Sequence, residues 1–542
     1  LLLPLTAGVY FLIDSAGDKK KSGYSVDGVN ARGTRPIPWS QLKGGDMAAS
    51  EQKMPLMTLT AMVVGGMVGA GVFSIPRNFA MATGVYGALI AWVIAGLGML
   101  MLAFVFQTLA NRKPDLDAGV YAYARAGFGP YLGFASAFGY WASACVGNVS
   151  YWVLIKSTLG GVFPFFGDGN TVSAVAASSV GIWAFHFLVM RGTKEAAAIN
   201  KIVTIAKIIP LLVFLVLVIF AFNAEVFVAN LWGSGASASQ DYVHAHGDLI
   251  AVGASATRDY GNLFEQVKAT MLITVFVFLG IEGASNYSRF AKKREDVGKA
   301  TVVGFLGVLA LFASVSILSF GVMPREEIQA LSQPSVGGVL SAAVGAWGAT
   351  FIGVGVIISV LGAYLAWSLM SAEVLAVAAK KGDMPAFLAK ENAAGVPTNA
   401  VLMSTLLVQA VLIATLFSAD AFTFALSLCS HLSLLPYLLS AGYLLKLVLT
   451  RETYAPTDAQ FRKDMLVAIF ATIYSIFLVY AGGMKFLVLS FLIYAPGTLL
   501  YLKTRSEQGK QVFTTSEWIV FAVFVVGAIY ALFGLITGYL TI

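Results

Sequence analysis

Val64-Gly65-Gly66-Met67-Val68-Gly69-Ala70-Gly71-Val72-Phe73-Ser74-Ile75-Pro76 and Phe276-Val277-Phe278-Leu279-Gly280-Ile281-Glu282-Gly283-Ala284-Ser285 are the two stretches that decide the fold. Each interrupts an apolar run. In the first, Gly69 and Gly71 can leave helical geometry at little steric cost, and Pro76 removes a backbone donor and disfavours helix just before it. A broken helix is tolerated in lipid only where it lines a cavity or is covered by protein. Taken alone, the glycines serve close helix packing equally well. The second stretch decides between the two readings. Its glycines flank Glu282 deep in an apolar run, where an ionised carboxylate is expensive and marks function by default.

Around these stretches lies a chain of 542 residues, 58% hydrophobic and 12% charged, with a mean hydropathy of +0.79. Soluble domains are nearer 45–50% apolar and 25% charged. A soluble single core, a disordered chain, a coiled coil and a secreted disulfide scaffold are therefore excluded. Apolar runs of roughly 20 residues suit bilayer spans. They recur at 57–83, 85–109, 132–160, 172–190, 202–222, 267–288, 300–322, 346–377, 399–417, 422–446, 466–482, 486–502 and 517–540. The fold class is thus an all-α polytopic membrane protein with about 13 transmembrane helices. Its two breaks fall in the first and sixth spans, at corresponding positions of two five-helix halves. That is the pattern of a five-plus-five inverted-repeat transporter.

Charge orients the spans. Counting loops alternately, one set carries twenty-two Lys and Arg, Lys201 and Lys207 among them, and the other carries four. The positive-inside rule then sets the N-terminus in the cytoplasm. The net charge of +7 reads as this loop bias and calls for no nucleic acid. The long loop at 223–266 falls on the outer side, where His244 and His246 lack the carboxylate or Cys neighbours of a metal site. Cys145 and Cys429 sit in apolar runs and read as small buried hydrophobes. No cofactor motif, GxSxG, HExxH or P-loop occurs, which argues against a membrane enzyme. The absence of charge rings argues against a channel.

Residues 1–46 are polar after a short apolar start. Lys43-Gly44-Gly45-Asp46 before Met47 can be encoded by a purine-rich ribosome-binding stretch. The expectation is an upstream region read as protein, the alternative a disordered extension. Residues 47–448 then form the inverted-repeat core and 449–542 the peripheral helices.

Beyond the breaks, the motifs are Gly119-Val120-Tyr121-Ala122-Tyr123-Ala124-Arg125 with Phe128-Gly129-Pro130, Tyr140-Trp141 with Gly147-Asn148, and Lys380-Lys381-Gly382-Asp383-Met384-Pro385. With them the chain resembles the amino acid–polyamine–organocation (APC) superfamily over about residues 54–502. Within it the chain resembles the basic amino acid/polyamine antiporters, and it is most similar to the bacterial arginine/ornithine branch. The resemblance implies a multi-pass protein of a bacterial cytoplasmic membrane that exchanges arginine and ornithine; lysine as a further substrate and a homo-oligomer are left open by the sequence. A proton-coupled permease for lysine or another amino acid is the alternative.

The resemblance also implies roles. The backbone of Gly69, Ala70 and Gly71 takes the substrate α-carboxylate, and carbonyls near Gly280 take the α-ammonium. Asn148 meets the cationic end of the substrate, with Ser143 and Ala144 on the same helix face. Trp367 stacks on a guanidinium, and Phe276 stands where relatives carry Trp, keeping the ring and losing the indole N–H. Glu282, Tyr140 and Tyr437 are gating residues. Ala70 lacks a hydroxyl that some relatives have. Trp367 and Phe276 also fit lipid-facing or core aromatics, Asn148 an interhelical tie, and Glu282 a fixed structural charge. Lys156 is expected to snorkel from an outer helix end and Glu373 to be a solvated helix end. Arg77 has no assigned role.

Overall fold

The computed structural model describes residues 56–114, 116, 120–192, 196–232, 262–281 and 294–540. Residues 1–46 and the loop residues His244 and His246 lie outside them, as does Glu282. Seventeen α-helices occur among the described residues, and no strand. In chain order they are α1 Leu56–Met67, α2 Ile75–Ala82, α3 Val85–Arg112, α4 Val120–Phe128, α5 Pro130–Gly160, α6 Val172–Met190, α7 Ala196–Phe220, α8 Ala224–Ala229 and α9 Leu263–Phe278. They continue as α10 Arg294–Ser319, α11 Arg325–Ala330, α12 Ser335–Val344, α13 Trp347–Lys380, α14 Thr398–Ala414, α15 Ala421–Thr450, α16 Phe461–Glu507 and α17 Thr515–Ile536.

Eight of these are long and apolar enough to cross a membrane: α3, α6, α10 and α13 to α17. The spans missing from that set are instructive. The first is split into α1 and α2, and the sixth stops at its break when α9 ends at Phe278. Helix α5 is 31 residues long, but its Ser, Gly, Asn and Lys dilute its apolar character. It can carry them because it is buried nearly all round from Tyr131 to Ser157, packed by α15, α13, α14 and α4. Helix α16 contains two spans joined at Gly483, whose φ of +74° is non-helical. Both its ends reach the same side: Asp464 accepts from Arg112 Nε at 2.9 Å, and Glu507 accepts from the Ala386 amide at 2.9 Å.

The loops of each set meet one another, as the charge alternation requires. At the basic end Arg112 also reaches Asp458 at 3.1 Å and lies 3.6 Å over the Tyr454 ring. There Arg125 pairs with Asp383, whose carboxyl burial pushes up while Arg125 opposes the shift. At the other end Arg77 pairs with Asp420 at 2.7 Å and donates to the Gln329 carbonyl at 3.1 Å. The residue that sequence left unassigned therefore ties α2 to the cap of α15 and to α11.

Three expectations are corrected here. Lys207, counted as a loop charge, lies inside α7 and is only 7% exposed, because its ammonium has an acceptor within the bundle. Lys156 does not snorkel: it is buried, with its ammonium 4.9 Å over the Phe166 ring. Glu373 is not a solvated end. It lies two turns inside α13, which runs on to Lys380, and is partly buried there.

Candidate substrate site between two broken helices

The site begins where α1 ends. Val68 makes the last α-type bond, to the Val64 carbonyl at 2.9 Å. The Gly65 carbonyl, left over by the helix end, accepts from Lys207 Nζ at 2.5 Å. Gly71–Ser74 then forms a 3-10 turn, in which Phe73 donates to the Ala70 carbonyl at 3.1 Å and the Ser74 hydroxyl to the Gly71 carbonyl at 2.7 Å. Pro76 lies in the first turn of α2, where its missing N–H is no loss. Between the helices, the N–H groups of Gly69, Ala70 and Gly71 donate to no backbone carbonyl among the described residues. Successive free amides at a helix start suit an anion.

The sixth-span break is packed on the first. Helix α9 closes with Leu279 donating to Phe276 at 3.3 Å and Ile281 to Phe278 at 3.2 Å. Between them Gly280 takes φ +102°, and a Cβ there would lie 3.0 Å from the Gly66 carbonyl oxygen. Phe276 leans back over the other break, so that a Cβ on Gly71 would stand 2.8 Å from its ring. Two glycines thus set the approach, one by its backbone conformation and one by its lack of a side chain.

A cavity lies between the breaks, lined among others by Gly69, Ala70, Gly71, Tyr140, Ser143, Ala144, Phe276 and Trp367. Gly280 borders it through Val277 and Leu279. Nine of the twelve expected site residues therefore come together. Ser143 is held by α15: its hydroxyl donates to the Cys429 carbonyl at 2.9 Å and lies 2.5 Å from the Ser433 hydroxyl. Cys429, expected to be buried, is buried, and it also lines the cavity.

Two residues stand elsewhere, and Glu282 lies outside the described residues. Asn148 is 1% exposed and lines an adjoining cavity with His186, Tyr364, Ser368, Ser371 and Thr405. Its amide nitrogen donates to Ser368 at 3.3 Å, and its oxygen has no partner among the described residues. The expected shared face with Ser143 and Ala144 is thus not kept. A residue four positions on is turned 40° further round a helix of 3.6 residues per turn, enough to carry Asn148 into the next space. Tyr437 is fully buried with its ring 5.8 Å from Phe106, and does not line the cavity.

Sequence reading missed Tyr151, Gly147, Ser433 and Lys207. Tyr140, Ser143, Ala144, Gly147 and Tyr151 line the cavity at helical spacing along α5, a periodicity that could have found Tyr151. Lys207 carried its own signal, a charge in an apolar run. Ser433 carried none, because its relevance depends on how α15 is rotated.

The chain matches the family described as amino acid permease over residues 55–484. It is 48% identical to a protein of Pseudomonas aeruginosa named arginine/ornithine antiporter, covering 91% of this chain and 99% of that one. It is 40% identical to the L-lysine transport protein of Corynebacterium glutamicum, covering 91% and 97%. It is 35% identical to the arginine/agmatine antiporter of Chlamydia felis, covering 86% and 93%.

Proposed function

Since the chain belongs to the amino acid permease family of the APC superfamily, we propose that it exchanges cationic amino acids across a bacterial cytoplasmic membrane, arginine for ornithine. Substrate binds between the two breaks, and access alternates around it. The observation that carries this reading is the run of amides at Gly69, Ala70 and Gly71 that have no backbone acceptor among the described residues, in a cavity walled by Phe276 and Trp367. The amides suit an α-carboxylate, and the two rings a delocalised side-chain cation. Carbonyls at the breaks receive the α-ammonium, and Asn148, from the adjoining cavity, the far end of a long side chain. Tyr140, Glu282 and Tyr437 gate the cytoplasmic side, the N-terminus lies in the cytoplasm, and the helices after residue 448 are peripheral. Exchanging one +1 solute for another moves no net charge, so no ion gradient is needed.

The test is uptake of radiolabelled arginine into proteoliposomes. Uptake should depend on internal ornithine, and equal uptake without it defeats obligatory exchange. The C. glutamicum relative is named for L-lysine transport, which favours lysine as substrate in a second reading; in that reading a proton gradient drives uptake. Loss of uptake when the proton gradient is dissipated would select that reading instead.

A further inference from the structure

We propose that the Tyr151 hydroxyl is a specificity determinant that donates a hydrogen bond to the substrate α-carboxylate, so that the site selects amino acids over the amines formed by their decarboxylation. This deepens the reading above and rests on it.

Four observations carry the inference. First, Tyr151 lines the cavity, and its hydroxyl oxygen lies 3.7 Å from where a Cβ on Gly69 would stand. The phenol thus reaches the break at the start of the unpaired amides. Second, Tyr151 is 7% exposed, yet no described residue hydrogen-bonds its hydroxyl. A buried phenol ordinarily has a partner, and here the open direction is the cavity. Third, the neighbouring hydroxyls are already engaged. Ser74 donates to the Gly71 carbonyl and accepts from Asn78 at 3.3 Å, while Ser143 and Ser433 bond each other and the Cys429 carbonyl. Fourth, Ala70 has no hydroxyl. Backbone amides alone would otherwise hold the carboxylate, and Tyr151 supplies the side-chain donor.

A hydrogen bond to an ionised carboxylate is stronger than one between neutral groups. It exists only for substrates that carry the carboxylate. A decarboxylated amine leaves the phenol and the amides unpaired in a buried site, and such mismatches discriminate more sharply than a lost apolar contact.

The experiment uses the full chain in proteoliposomes, wild type and Tyr151→Phe. Arginine and ornithine are the amino acids, and agmatine and putrescine the corresponding amines. Tyr151→Phe keeps the ring, and its thermal unfolding midpoint checks that it folds. It should raise KM for both amino acids roughly tenfold to a hundredfold, the range for a lost bond to a charged group. Amine inhibition constants should change by less than about threefold, so the preference for amino acids narrows by the difference. An equal change for acids and amines, or no change for either, overturns the inference while leaving cationic exchange intact. If wild type instead carries a neutral amino acid, the cationic reading falls. The comparison is then made with that amino acid and its own amine, and the same two outcomes judge Tyr151.

Discussion

The two broken helices solve one problem in different ways. Seven residues, Val68 to Ser74, separate α1 from α2. That width leaves three successive amides without a backbone acceptor among the described residues and hands the Gly65 carbonyl to a lysine from another helix. In the sixth span the described part of the break is a tight turn at Leu279-Gly280-Ile281, which recovers its own hydrogen bonds. It contributes shape instead: the positive φ of Gly280 and the Phe276 ring laid over Gly71. The first break presents donors, and the described part of the second presents a wall. The difference follows from their residues: the first break runs through a 3-10 turn before Pro76 sits in the first turn of α2, while Gly280 can take a positive φ within a single turn.

The largest effect should come from the second break. Gly280→Ala forces a side chain onto φ +102° and 3.0 Å from the Gly66 oxygen, a strain of about 1–3 kcal/mol. Exchange in proteoliposomes should fall about tenfold or more. Gly66→Ala, whose Cβ meets nothing nearer than 3.9 Å, should exchange close to wild type. Equal losses in both variants would show that the breaks are not differentiated in this way.

The next effect tests the first break. Lys207→Met leaves the Gly65 carbonyl without its charged donor, a loss of about 1–3 kcal/mol. The thermal unfolding midpoint in detergent should drop. Lys156→Met, which removes only a cation 4.9 Å over Phe166, should lower it less. A larger drop for Lys156→Met would show that the Lys207–Gly65 bond does not hold the first break.

The smallest effect concerns the aromatic wall of the cavity. Trp367→Leu removes a ring facing the cavity, worth roughly 0.5–2 kcal/mol toward a cation. Arginine affinity, measured by calorimetry, should weaken about twofold to thirtyfold. Ornithine, with a point-like ammonium, should lose less. Identical losses for both would assign the ring to packing.

Much of this was legible beforehand. Span lengths, the alternation of basic loops and both breaks depend on local composition, and a bilayer makes local composition decisive. Gly69 and Gly71 could be singled out because glycines stand out in an apolar run, whereas Phe276 and Trp367 were expected only from the resemblance, since aromatic residues are common along this chain. For Asn148 only the shared face with Ser143 and Ala144 was misread, because a helical face is read to within a turn, whereas 40° of rotation moves a side chain between cavities. Lys207 was misjudged because its position next to basic loop residues suggested a helix end. Its burial requires an acceptor 142 residues away.

By itself, then, the sequence determined that the chain crosses a membrane many times, which end of the bundle is basic, and where two helices break. These are properties of runs and neighbours, and short-range physics decides them. The tertiary structure alone decided which groups meet: Lys207 with Gly65, Tyr151 with Gly69, Gly280 with Gly66, Arg77 with Asp420. Each pairing depends on how far one helix is rotated and shifted against another. That is set by packing summed over the bundle, and no single span encodes it.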